Sequence, residues 1–137
     1  MPGMSKSSAV FFGVIFFDQL TKYLARRQIV ISAAIIENPG LPFFGIDLPG
    51  FFDLILVLVL LVIFVVSYLR NWHSPSSQIG FSMVAAGAAS NIFDRLTKGG
   101  VTDFINLGIG NTFNFADIAI MIGIPLLALQ ASRNPKS

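Results

Sequence analysis

The chain has 137 residues, is 54% hydrophobic and only 12% charged, with mean hydropathy +0.75, which is far from the composition of a soluble globular domain and implies one integral membrane domain, 1–137. It contains no cysteine, so disulfides, thiolate catalysis and Cys-based metal sites are excluded. The net charge of +2 comes without a run of basic residues, so nucleic acid is not an expected partner, and the single histidine, His73, reads as a solvated loop residue rather than a catalytic or metal centre.

In chain order, a short polar lead to Ser7 precedes an apolar run, and residues 8–25 read as a first transmembrane helix. A signal peptide is the competing reading. The run ends in Asp18-Gln19-Leu20-Thr21-Lys22 instead of a small-residue cleavage site, although Ser32-Ala33-Ala34 is a weak candidate. Asp18 and Lys22 stand i,i+4 with the acid first, the favourable order for an intrahelical ion pair. From Gln28 to Gly50 the helical periodicity gives way to the β-branched run Ile29-Val30-Ile31 and then to a stretch rich in proline and glycine, a β-like loop region. Residues 51–69 form the cleanest apolar span, and Arg70 to Gln78 a polar turn.

The third span, 79–96, has a different texture: Gly80, Ser82, Ala85, Ala86, Gly87, Ala88, Ala89 and Ser90 are all small, which lets neighbouring backbones approach. Near its end Gly87, Asn91 and Arg95 recur at i, i+4, i+8 with Asp94 beside them, so a polar face is expected to point inward, with Asn91 and Arg95 bonding Asp94. Thr97-Lys98-Gly99-Gly100 ends the helix. Residues 116–131 form a fourth, shorter span. The fold class is therefore an all-α membrane protein of four transmembrane helices, with a short β-like loop region between helices 1 and 2.

Two acids stand out, Asp103 and Asp117, each in a strongly apolar neighbourhood. Burying a lone carboxylate costs several kcal/mol or more, so such acids point to a functional site. A transporter would also carry intramembrane acids, but here the acids cluster at one end of the spans and no inverted repeat is visible. Both termini lie on one side of the membrane. Five of the nine Lys and Arg residues lie at the end opposite the termini and four with them, which does not decide orientation.

Five blocks occur in order: Asp18-Gln19-Leu20-Thr21-Lys22, Asn38-Pro39-Gly40, Gly87 to Arg95, Val101-Thr102-Asp103-Phe104-Ile105 and Phe113-Asn114-Phe115-Ala116-Asp117. Together they resemble the lipoprotein signal peptidase (signal peptidase II) family, bacterial inner-membrane aspartic endopeptidases. The resemblance implies that Asp103 and Asp117 are catalytic, and that Asp18, Lys22, Asn38, Gly40, Asn91, Asp94, Arg95 and Asn114 shape the site or bind substrate. It implies diacylglyceryl prolipoprotein substrates cut just before the lipobox cysteine, binding of membrane lipid and of globomycin-type inhibitors, and no cofactor or metal. It also implies cytoplasmic termini with the site at the extracytoplasmic face. A monomer is expected. An inactive, lipoprotein-binding member of the family is the alternative, and the presence of both acids argues against it.

The chain departs from the family pattern at Ser90, where glycine is usual, at Pro39 and Pro42 in the Asn-x-Gly loop, at Thr102, where valine is common, and in short outward connections. These departures bear on substrate affinity and on the geometry of the covering loop rather than on the chemistry. Asn114, three residues before Asp117, is placed to orient one acid. The loop from Glu37 to Gly50 is expected to cover the acid pair as a flap.

Overall fold

The computed structural model describes residues 5–27, 36–38, 42–43, 46–47, 74–106 and 112–133. The expected span over 51–69, the run Ile29-Val30-Ile31, His73, Pro39 and Gly40 lie outside these residues. Helix α1 covers Lys6–Arg26, α2 Pro75–Lys98 and α3 Phe115–Arg133. They correspond to the expected helices at 8–25, 79–96 and 116–131, extended by one to four residues at each end. The largest extension is at the start of α2, where residues expected in a polar turn are helical. Ser74 caps the helix by accepting from the Ser77 backbone N–H at 3.0 Å, and Pro75 occupies the first turn, where its missing N–H costs nothing. At the other end Gly99 takes φ 76°, the left-handed conformation that returns its N–H to the Arg95 carbonyl and stops the helix.

Among the described residues, six short strands accompany the helices. Strand β1 (Ile36–Asn38) pairs antiparallel with β4 (Val101–Asp103), β2 (Pro42–Phe43) with β3 (Ile46–Asp47), and β5 (Ile105–Asn106) with β6 (Thr112–Phe113). The protein is thus helix-rich with small β ladders, and the β structure extends beyond the expected loop region into the segment after α2. The register sets Ile36 opposite Asp103 and Asn38 opposite Val101, so the Asn38 block lies along the strand that ends in Asp103.

Helix α2 is central, packing chiefly on α3 and next on α1. The small residues expected to allow this do so most closely at Gly87, where a Cβ would come within 2.5 Å of the Ala116 carbonyl oxygen and 2.8 Å of Ile120 Cγ1. The distribution of polarity is inside out. Asp18, Lys22 and Asp94 are 0% exposed, whereas Phe12 is 61% and Leu96 82% exposed, with Phe16, Phe17, Met121 and Leu129 also on the outside. Among the described residues no helix is long and apolar enough to cross a membrane. In α1 and α2 the shortfall is polarity, not length, since their 21 and 24 residues carry the charged residues that the interior pairs off. Gly87→Ala should destabilise the protein by about 1–3 kcal/mol, because the new methyl pushes α3 away at Ala116. Gly13→Ala, with nothing within 4 Å of the added atom, should be neutral or slightly stabilising. Thermal unfolding in detergent checks both, and equal melting temperatures for the two variants would show that the α2–α3 contact tolerates the methyl.

Candidate active site

The site begins with Lys22. Its ammonium lies 2.6 Å from Asp18 Oδ2 and 2.8 Å from Asp94 Oδ2, and it donates to Asn91 Oδ1 at 2.9 Å. A buried cation is tolerable only when opposite charge and acceptors surround it in this way. Asp18 is satisfied in turn: Oδ1 accepts the Ala116 N–H at 2.8 Å, at the start of α3, and Oδ2 accepts the Ser90 hydroxyl at 2.7 Å. Gln19 Nε2 donates to Ser90 Oγ at 2.8 Å and to Asp94 Oδ1 at 3.2 Å, while Lys98 reaches Asp94 Oδ1 at 2.5 Å. The expected Asp18–Lys22 pair is therefore one edge of a network that ties α1 to α2 and to the first turn of α3.

Two amides carry this network to the acids. Asn91, its oxygen engaged by Lys22, donates through Nδ2 to Asp117 Oδ1 at 2.8 Å. Asn114 ends the β6 segment and caps α3: its Oδ1 accepts the Asp117 N–H at 3.0 Å, while Asp117 Oδ2 accepts the Asn114 N–H at 3.0 Å. This is a reciprocal capping box, with asparagine and aspartate in place of the more frequent serine and glutamate. The same Asn114 side chain donates through Nδ2 to Asp103 Oδ1 at 2.7 Å. One residue thus contacts both acids, more than the single orienting bond expected of it. The cap fixes Asp117 at the mouth of the helix, and Phe104, whose N–H bonds the Phe113 carbonyl at 3.0 Å, brings the end of β4 beside it.

The structure brings Asp18, Lys22, Asn91, Asp94, Asn114, Asp103 and Asp117 into one connected cluster, and the backbone of Asn38 into the ladder alongside. It corrects two expectations. Asn91 does not bond Asp94, because the Lys22 ammonium stands between α1 and α2 and takes the amide oxygen. Asp94 does not pair with Arg95 either; its partners are Lys22, Lys98, Gln19 and, at 3.9 Å, Arg26, and the buried Arg95 Nε has no hydrogen-bond partner among the described residues. Gln19, Arg26, Lys98 and the hydroxyls of Ser90 and Thr102 are further members that sequence reasoning did not assign. Lys98 at i,i+4 from Asp94 was the available signal.

Burial pushes the Asp103 carboxyl from the usual 3.8 up to about 6; the Asn114 donor opposes the shift and the charge of Asp117 adds to it. The geometric link between Asp103 and Asp117 is Asn114, which donates to both.

Two acids, each bonded by an asparagine, thus stand in one polar cluster on a helical scaffold, an arrangement that can support carboxyl chemistry. Two solved chains described as bacterial membrane enzymes, obtained by the in meso method at 2.3 and 1.9 Å, superpose with TM-scores of 0.77 and 0.74. They are 26% and 27% identical in sequence, over 95% and 90% of this chain and 89% and 90% of theirs. Residues 10–133 match the signal peptidase (SPase) II family, and the chain belongs to it. Similar relatives, each called lipoprotein signal peptidase, come from Thermodesulfovibrio yellowstonii (36% identical, covering 88% of this chain and 90% of the relative) and Helicobacter pylori (30%, 91% and 88%).

The raised Asp103 value carries a sign. Because the folded chain holds this proton more tightly than the unfolded one, ionisation of Asp103 withdraws stability as pH rises through the window from about 4 to about 6, and the loss is complete above it. Asp103→Asn keeps the acceptor for Asn114 and removes the charge. It should therefore raise stability by about 1–3 kcal/mol at pH 8, with the gain fading as pH falls from 6 towards 4. Melting curves of both proteins across that range check this, and a gain that did not change with pH would contradict it.

Proposed function

We propose that the chain is an aspartic endopeptidase that removes the signal peptide from diacylglyceryl-modified prolipoproteins just before the lipobox cysteine, with Asp103 and Asp117 as its catalytic pair. The observation that carries this reading is the double engagement of Asn114, which donates one hydrogen bond to each acid and so fixes their mutual geometry. Two carboxylates in electrostatic contact do not both ionise readily, so the pair shares a proton and titrates as a unit. In the reaction one carboxylate takes a proton from a water molecule as its oxygen attacks the scissile carbonyl carbon. The other, protonated, donates to the carbonyl oxygen, and collapse of the tetrahedral intermediate breaks the C–N bond with a proton delivered to the leaving amine.

Asn91 supports the pair from α2, and Asp18, Lys22 and Asp94 hold Asn91 in place. In this reading Arg95, whose charge bears on Asp103, binds the substrate backbone or a globomycin-type inhibitor. The antiparallel pairing of Ile36–Asn38 with Val101–Asp103, which sets Asn38 alongside the strand that carries Asp103, supports the flap reading of the Glu37 to Gly50 loop. The reaction so derived draws on carboxyl chemistry alone and needs no metal or organic cofactor.

The outward aromatic residues and inward, paired charges support a membrane setting, since lipid favours an apolar exterior and drives ionisable side chains to pair in the interior. In our reading four helices span the bacterial inner membrane as a monomer, the termini are cytoplasmic, and the site opens at the outer face, where a lipid-bearing substrate reaches it by lateral diffusion. Asp103→Asn and Asp117→Asn should each lower cleavage of a diacylglyceryl prolipoprotein by at least about a hundredfold while the protein stays folded in detergent. A gel-shift assay reads this, and substantial activity in either variant removes the dyad. For orientation, single cysteines at Ser5, Ser74 and Ser137 should be protected from an impermeant thiol reagent in intact cells while one at Leu48 is labelled. The reverse pattern would place the acids in the cytoplasm and exclude the reading.

A further inference from the structure

Asp103 ends a strand of only three residues, and so short a strand does not fix its own rotation about its axis. The residue before it, Thr102, is 1% exposed, and strand alternation directs its side chain to the face opposite that of Asp103. There its hydroxyl meets the last turn of α1: Arg26 Nε donates to Thr102 Oγ1 at 2.7 Å, and Arg26 Nη2 contacts the same oxygen. The guanidinium lies 3.9 Å from Asp94 Oδ1, so one side chain runs from the Lys22 cluster to the neighbour of Asp103. Strand β4 is thereby gripped on both faces, by Arg26 through Thr102 on one and by Asn114 through Asp103 on the other.

We propose that the Arg26–Thr102 hydrogen bond is a positioning device for the reaction, holding the rotation of β4 so that the Asp103 carboxyl stays in register with Asn114 and Asp117. This rests on the dyad reading of Asp103. Without the bond the strand is held on one face only, and small rotations of β4 move the carboxyl relative to its partner. Misplacements of about 1 Å at a reacting group cost up to a hundredfold in rate. The charges that bear on Asp103 come from three helices, Asp117 on α3, Arg95 on α2 and Lys22 on α1, so a shift of the strand changes its titration as well as its reach.

Thr102→Val tests this, because valine keeps the shape and the preference for strand and removes only the hydroxyl. Its kcat on a diacylglyceryl prolipoprotein should fall about tenfold with KM within about twofold. The limb of the pH profile that follows Asp103 should move to higher pH as the Asn114 donor loosens, and the melting temperature should hold. Thr102→Ser, which keeps the hydroxyl and loses the methyl, should regain most of kcat despite a weaker strand preference. Arg26→Gln should show the same kcat loss, and adding Thr102→Val to it should lower kcat no further. Wild-type kcat and pH profile in Thr102→Val, alongside an inactive Asp103→Asn, would overturn the positioning role and leave the dyad standing. Loss in Thr102→Ser equal to that in Thr102→Val would assign the effect to packing and overturn it as well. An active Asp103→Asn enzyme would instead remove the dyad on which the role depends.

Discussion

The structure depends on the placement of one ammonium group. Lys22 is fully buried, and a lone charge there is unsustainable, so its surroundings are dictated: two carboxylates, Asp18 and Asp94, and an amide oxygen, Asn91. Those three groups come from two helices, which fixes how α1 and α2 meet at this level. Asp18 then takes the N–H of Ala116, which fixes where α3 starts. Removing one partner of such a buried pair typically costs about 3–5 kcal/mol, a large share of the stability of many domains. Here buried polar groups specify the packing alongside a small apolar core that includes Phe81, Val101 and Phe104, and many large apolar side chains face outward.

That inversion also explains which parts of the fold were legible in the sequence. Helix existence was, because small residues from Gly80 to Ser90 and apolar runs in α1 and α3 are local signals. The start of α2 was not: Ser76, Ser77 and Gln78 look like a turn by composition, and only the cap at Ser74 with Pro75 behind it marks a first turn. A β-like region after α1 was legible, but the individual strands and their pairings were not, for a different reason. They are two or three residues long, too short for any period to show, and β4 is held by β1 from some 65 residues upstream, a pairing that no local pattern encodes.

At the site the division falls the same way. The i,i+4 relation of Asp18 to Lys22 and the i,i+3 relation of Asn114 to Asp117 are helix geometry, and both contacts are present. Asn91 and Asp94 were equally visible as a polar face of α2, yet their partners are set by a lysine from another helix, which diverts Asn91 to Asp117 and leaves Arg95 outside the charge network. Ser90 and Thr102 illustrate the point most sharply. Each looks in sequence like a departure that alters substrate binding, and each proves to donate to or accept from α1, at Asp18 and Gln19 for the one and at Arg26 for the other.

Asn91 and Asn114 share a further property. An amide presents an acceptor at one end and a donor at the other, so Asn91 meets a cation with its oxygen and an anion with its nitrogen, a conversion of polarity that neither a carboxylate nor a hydrocarbon of the same shape performs. An amide nitrogen and oxygen do not exchange protons readily at neutral pH, unlike a hydroxyl, an imidazole or a carboxyl. The link from Lys22 to Asp117 therefore transmits orientation and is closed to protons. Asp18 and Asp94, buried in the neighbouring cluster, are thus tied to Asp117 through Lys22 and Asn91 without a path for protons along that link, and the amide acts as a rigid spacer.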